Sequence, residues 1–273
     1  MLGARTLVMG VLNVTPDSFA DGGRHFELHR AVDAGLAMVD AGADIVDIGG
    51  ESTRPGADPL ASQEELRRVL PVIERLATRV PVPISIDTYK AGVARAAIAA
   101  GASIINDVSG LQYEPELARA AAETRAALVL MHTRGRSKSM YSLAYYDDVA
   151  GEITRELGGA IDRAVSGGVA RDAIIVDPGL GFAKKAEHSY AALAALGSIS
   201  RSLDRPILSG PSRKSFLGAA VGQRPPDERE WATAAAVTAS VLFGAHLVRV
   251  HGVAAMVDVV RVADRLLQTA QGL

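Results

Sequence analysis

Short apolar runs rich in Val and Ile alternate along the chain with longer stretches whose apolar residues recur every three or four positions. The first kind reads as strands buried on both faces, the second as amphipathic helices. The predicted strands are "TLVMGVLN", "DIVDIGG", "PISIDT", "SIINDVS", "AALVLMH", "AIIVDPG", "PILSGP" and "LVRVHG". The helices between them include "RAVDAGLAMVDAG", "QEELRRVLPVIERLATR", "AGVARAAIAAG" and "VAGEITRELGGAIDRAVSGG", and "VAAMVDVVRVADRLLQ" follows the last strand. Eight strands and eight helices are expected. Gly residues in "DAGADIVDI" and "AAGASIINDV" stop a helix just before the next strand. No linker or shift of composition divides the chain. The pattern predicts one α/β domain over residues 1–273, a (β/α)₈ TIM barrel, with a doubly wound sheet as the alternative.

Strands buried on both faces should be almost uniformly apolar. Here nearly every run instead ends in polar groups: Asn13; Gly50, Glu51 and Ser52; Asp87 and Thr88; Asn106 and Asp107; His132; Asp177; Ser212, Arg213 and Lys214; Arg249 and His251. Helix capping accounts for Ser52 or Thr88. It does not account for Asp87, Asn106, Asp177 and Arg249, which sit within or at the last residues of β-branched runs, where a polar group needs a partner. Active sites of such barrels lie at the C-terminal ends of the strands.

Composition narrows the chemistry. At 273 residues, with 48% hydrophobic and 22% charged positions, the chain can bury a large core. A net charge of −2 and a pI near 6.3 argue against nucleic acid bound by broad phosphate neutralisation, so any anion site must be local. The absence of Cys excludes disulfides, thiolate metal sites and a Cys nucleophile. "MLGARTLVMGVLNVTPD" lacks the features of a signal peptide, and "WATAAAVTASVLFGA" is shorter than the roughly 20 apolar residues of a membrane span, so it reads as a buried helix. A cytoplasmic protein with no membrane partner is expected.

The polar ends sort by sign. Asp87, Asn106 and Asp177 offer acceptors plus one amide donor, a set suited to a flat heterocycle with alternating N–H and carbonyl groups. Asn13, Arg54, Arg249 and His251 come from strands and loops one, two and eight, neighbours once a barrel closes, and suit an anion such as phosphate. Lys214 lies between the two groups. Arg54 alone could be a solvated surface residue, but "GGESTRPGA" places it in a Gly/Pro loop directly after a strand. A helix start after "GPSRK" makes Ser215 either a plain cap or part of an anion site.

The stretches "NVTPDSFADGG", "DIGGESTRPGA", "ISIDT", "INDVSG", "LVLMHTRG", "VDPGLGFAK", "SGPSRKSFLG" and "VRVHGV", in that order along nearly the whole chain, resemble the dihydropteroate synthase family. "QRPPDERE" carries no motif, and Ala20 stands where Ser is expected. The resemblance implies joining of p-aminobenzoate to (hydroxymethyl)dihydropterin pyrophosphate, giving dihydropteroate and pyrophosphate for folate synthesis. It implies pterin contacts from Asp87, Asn106, Met131, Asp177, Phe182 and Lys214, with Asp87, Asp177, Lys214 and Arg249 carrying catalysis. Pyrophosphate and magnesium (Mg²⁺) fall to Asn13, Thr53, Arg54, Arg249 and His251, with Asn13 the metal ligand. p-Aminobenzoate falls near Phe19, Pro55, Lys214 and Ser215. The first loop, with Asp17, Ser18, Phe19 and Asp21, is expected to act as a lid that excludes water from a reactive cation. The family also implies sulfonamide susceptibility and a homodimer. For "WATAAAVTASVLFGA", core burial and an interface are equally good readings.

Dissociative loss of pyrophosphate, followed by attack of the arylamine, needs no protein nucleophile. Three rivals are a pterin-binding methyltransferase, a silent paralogue that only binds pterins, and a Schiff-base aldolase using Lys214. The first would not need the "NVTPDSF" and "SRKS" segments; the last disagrees with a permanently charged Lys214 in an anion setting.

Overall fold

In a computed structural model, which describes residues 3–15, 23–52 and 56–272 (the backbone alone at 23–27 and 271), the predicted strands form one parallel sheet. They are β1 (Leu7–Asn13), β2 (Ile45–Gly49), β3 (Ile84–Asp87), β4 (Ile104–Asp107), β5 (Ala127–Met131), β6 (Ile174–Asp177), β7 (Leu208–Ser209) and β8 (Leu247–Val250). Their order is β6-β5-β4-β3-β2-β1-β8-β7. A bridge between Val176 and Ile207 joins the two ends, so the sheet closes on itself as a (β/α)₈ barrel rather than a doubly wound sheet.

Among the described residues there are ten α-helices rather than eight: α1 (Gly23–Asp40), α2 (Ser62–Ala77), α3 (Ala91–Ala99), α4 (Glu116–Thr124), α5 (Val149–Ser166), α6 (Ala186–Ala194), α7 (Leu196–Leu203), α8 (Gly218–Val221), α9 (Glu230–Leu242) and α10 (Val253–Gln271). The run after β6 splits at Ala195, whose backbone (φ −95°, ψ 5°) leaves the helical region. The run after β7 begins as a 3₁₀ turn at Ser215–Leu217 and a single α-turn before α9.

The helices form where the pattern asks for them. Asp148 caps α5 by accepting the Gly151 N–H at 3.1 Å, and Ile153, Leu157, Ala160, Ile161 and Ala164 put one stripe against the sheet. Burying each large side chain of that stripe is worth about 1.5–3 kcal/mol. α9 buries Thr233, Ala236, Val237, Ser240 and Val241 but exposes Trp231 (88%), Leu242 and, just past its end, Phe243. It is therefore only half a core helix. None of the described helices is long and apolar enough to cross a membrane.

Two apolar cores follow from strand alternation. Outward-facing residues such as Leu12, Val46, Ile86, Leu130 and Val248 meet the helices. Inward-facing Met9, Ile45, Ile104, Val129, Ile175, Leu208 and Leu247 form a separate cluster that plugs the lower barrel. The next inward positions up the strands include polar Asp47, Asn106, Asp177 and Arg249, beside apolar Val11 and Met131.

Candidate active site

Register decides which polar residues meet. Asp47 lies opposite Val11 on one side and Ser85 on the other, and Asp87 opposite Gly49 and Asn106. Met9 pairs with Arg249, and Met131 with Asp177. Counting by twos from the apolar plug therefore sends Asp47, Asp87, Asn106, Asp177 and Arg249 into the barrel, above Met9, Ile45, Ile104 and Ile175. Arg249 donates from Nε to Asp47 Oδ2 at 2.6 Å and from Nη2 to Asp87 Oδ2 at 2.7 Å. The Asn106 amide donates to the same Asp47 oxygen at 3.1 Å. Asp47 Oδ1 and Asp87 Oδ1 are both buried with no hydrogen-bond partner among the described residues.

Asp47 is not among the polar strand ends, because it stands in the middle of its run. The signal was there: an acidic residue in the middle of "IVDIGG" is as anomalous as Asp87 in "ISID".

The charges are unevenly balanced. Burial raises the Asp87 carboxyl to about 7; Arg249 opposes this, and the nearby Asp47 charge adds to it. One guanidinium cannot neutralise two buried carboxylates, so a proton is retained more easily there. Burial also raises the Asp177 carboxyl, against the pull of Lys214 and of the Gly179 N–H that Asp177 accepts at 2.7 Å. Lys214 is lowered to about 8 by burial, opposed chiefly by Asp177. Its ammonium lies 4.6 Å from the centre of the Phe182 ring. The guanidinium of Arg249 is raised: burial works against it, but Asp47 and Asp87 outweigh burial.

Gly179 makes the β6 loop possible. It has φ +68°, and a Cβ there would lie 2.0 Å from the His132 carbonyl oxygen, so no other residue fits.

These groups face a hollow of about 440 Å³ lined also by Met131, Val108, Gly210, Ser212 and His251. Ser212 Oγ accepts the His251 backbone N–H at 3.2 Å and lies 3.0 Å from His251 Nδ1. Asn13 is half-buried where β1 ends beside Gly49. A second hollow of about 460 Å³ shares Val108 and Phe182 and is walled by Tyr89, Tyr113 and Arg136.

Other expectations change. His132 and Asp107 are at strand ends but on the outward side. His132 bonds Glu156 and Lys184, while Asp107 accepts the N–H groups of Ser109 and Leu111. Arg213 turns away to Glu230. Thr88 does not cap α3; it accepts the Lys90 N–H at 3.2 Å. Ser52 caps nothing, since α2 begins at Ser62. Ser215 is exposed and opens a 3₁₀ turn with no side-chain cap, so the dipole of a long helix is not available to it. Asp17, Ser18, Phe19, Asp21, Thr53, Arg54 and Pro55 lie outside the described residues.

Residues 9–251 match the family described as pterin binding enzyme. The dihydropteroate synthase of Synechocystis is 47% identical over 264 residues, covering 97% of this chain and 91% of that protein. Two solved structures of Xanthomonas albilineans dihydropteroate synthase are similar. One, with 4-aminobenzoic acid, has a TM-score of 0.89 at 44% identity and covers 99% of this chain and 94% of its own. The other, in complex with 7,8-dihydropteroate, has a TM-score of 0.86 at 41% identity and covers 99% and 95%.

Proposed function

Since this chain belongs to the pterin-binding enzymes, among their dihydropteroate synthases, we propose that its barrel mouth binds (hydroxymethyl)dihydropterin pyrophosphate and transfers the pterinylmethyl group to p-aminobenzoate. The observation that carries this reading is the convergence of Asp87, Asn106, Asp177 and Lys214 on one hollow at the barrel mouth. Two carboxylates, one of them with an unpartnered oxygen, accept the ring's N–H groups; the Asn106 amide and Lys214 supply donors for its acceptors.

In the reaction the C–O bond between the methylene and the pyrophosphate breaks, the electron pair leaving with the pyrophosphate. The p-aminobenzoate nitrogen then forms the new C–N bond and gives up a proton to water. A ring that carries positive charge in the transition state is favoured by the buried carboxylates around it. Asp87 and Asp177 hold that ring and offer negative charge. Lys214, at the hollow's edge, and His251 stand on the side where the leaving anion departs.

In this reading magnesium would be held mainly by the phosphate oxygens of the substrate and by water, the oxygen ligands this hard cation prefers. Asn13, at the end of β1, would supply the protein's own oxygen. When bound, the ion would neutralise charge on the departing pyrophosphate.

A homodimer is part of the same reading. It is supported by exposed apolar Trp231, Leu242 and Phe243 on and after α9, together with Val262 and Leu266 on the adjoining α10.

Calorimetric titration with hydroxymethyl dihydropterin tests the assignment. Wild type should bind, and Asp177→Asn should bind weakly; equal affinity of the two proteins would remove Asp177 from the site.

A further inference from the structure

We infer that Lys184 is a positioning residue: its amine holds the backbone of Phe182 so that the Phe182 ring stays over Lys214. This rests on reading the hollow beside Lys214 as the pterin site.

Lys184 is fully buried outside the barrel, behind the β6 loop. Among the described residues, its Nζ forms no ion pair with a carboxylate. It lies 2.8 Å from His132 Nδ1 and donates to the Phe182 carbonyl at 3.1 Å. His132 Nε2 lies 3.0 Å from Glu156 Oε2. A carboxylate can only accept there, so Nε2 carries a proton. In a neutral ring Nδ1 is then the acceptor and Lys184 the donor. Burial, aided by Lys184, lowers the His132 ring to about 4; burial works to raise the Glu156 carboxyl, but the His132 and Arg134 bonds outweigh it and hold Glu156 at about 2. The chain of donors therefore runs from Lys184 through His132 to Glu156, and Glu156 is locked in turn by Arg134.

The other end of this network is the pocket wall. Between Phe182 and Lys184 stands Ala183, buried, in the left-handed region at φ +47°. A non-glycine residue persists there only when its surroundings hold it. They do: Tyr146 Oη donates to the Ala183 carbonyl at 3.0 Å, and Lys184 to the carbonyl before it. Both carbonyls are thus fixed on the outer side, which turns the Phe182 ring inward over the Lys214 ammonium. The groups facing Lys214 are Asp177, Arg249 and Asp87; those facing Lys184 are Asp177, Lys214, Arg134 and Glu156.

If the tether goes, the ring leaves Lys214 and the half-buried ammonium gains water. The test is Lys184→Met, with the Lys214 pKa read by lysine side-chain NMR in the ligand-free protein. The Lys214 value should rise by about one unit, a roughly tenfold gain in proton affinity. Phe182→Ala should raise it equally, and the double variant should add nothing further. Tyr146→Phe, which leaves the buried lysine in place, should give a smaller rise and serves if Lys184→Met does not fold. An unchanged Lys214 value in the folded variants, or additive shifts in the double variant, overturns the inference. Because this readout needs no pterin, failure of wild type to bind pterin would count against the pterin reading alone.

Discussion

Arg249 reaches across the barrel to Asp47, Nε to Oδ2 at 2.6 Å, and this contact sets the electrostatics of the site. The same guanidinium also holds Asp87 at 2.7 Å, so two buried carboxylates share one cation. The resulting excess of negative charge lies where a ring cation would be stabilised. Asp47→Asn removes one of the two charges while keeping an oxygen for Arg249 and Asn106. The Asp87 carboxyl should then titrate below 7, while burial, the larger cause, keeps it above the ordinary carboxylate value near 3.9. Carboxyl-carbon NMR across a pH series reads this directly, and an Asp87 value that does not fall would show that Asp47 is not the source of the excess charge.

Asp87 should also leave a mark on stability. Its folded pKa of about 7 lies above the unfolded value. Between pH 4 and pH 7 the folded state therefore holds more protons than the unfolded one, and stability from this group falls as pH rises through that window. Asp87→Asn has no such group. The difference in Tm between wild type and variant should shift in favour of the variant from pH 5 to pH 8. A constant difference across that range would mean Asp87 titrates normally.

That the strand ends carry the candidate site is legible because polar residues inside β-branched runs are costly: Asp87, Asn106, Asp177 and Arg249 all stand out this way. Asp47 obeys the same rule but stands two residues before the end of β2, one layer deeper than the rim. Parity was the missing step. Asn106 and Asp107 are adjacent, yet only Asn106 faces the hollow; Met131 faces it and His132 does not. Counting by twos from the apolar plug separates them, but it requires the register, which the chain alone does not supply. Lys184 was beyond reach for another reason. "GFAKK" is an irregular loop without period, and nothing in it says which lysine turns inward.

Lys214 should give the enzyme an alkaline limit. Its ammonium, lowered to about 8, is present below that pH and lost above it. Turnover per unit substrate, kcat/KM, should therefore fall as pH rises through about 8. Lys214→Arg, whose guanidinium stays charged, should lose activity at neutral pH yet show no fall up to pH 10. An unchanged limb in this variant would assign the limb to another group.

Asp87→Asn and Asp177→Asn should each weaken binding of the free hydroxymethyl pterin by about 1–3 kcal/mol, with folding retained. Isothermal titration beside circular dichroism separates the two effects. Affinity equal to wild type in both variants would move the ring elsewhere.

The most direct measurement is pyrophosphate release from (hydroxymethyl)dihydropterin pyrophosphate, followed with and without p-aminobenzoate, while dihydropteroate is quantified in the same reaction. Release should match dihydropteroate one for one when both substrates are present, and should collapse in Asp177→Asn. Full release in that variant, or pyrophosphate set free by wild type with no dihydropteroate formed beside p-aminobenzoate, would contradict transfer of the pterinylmethyl group at this site.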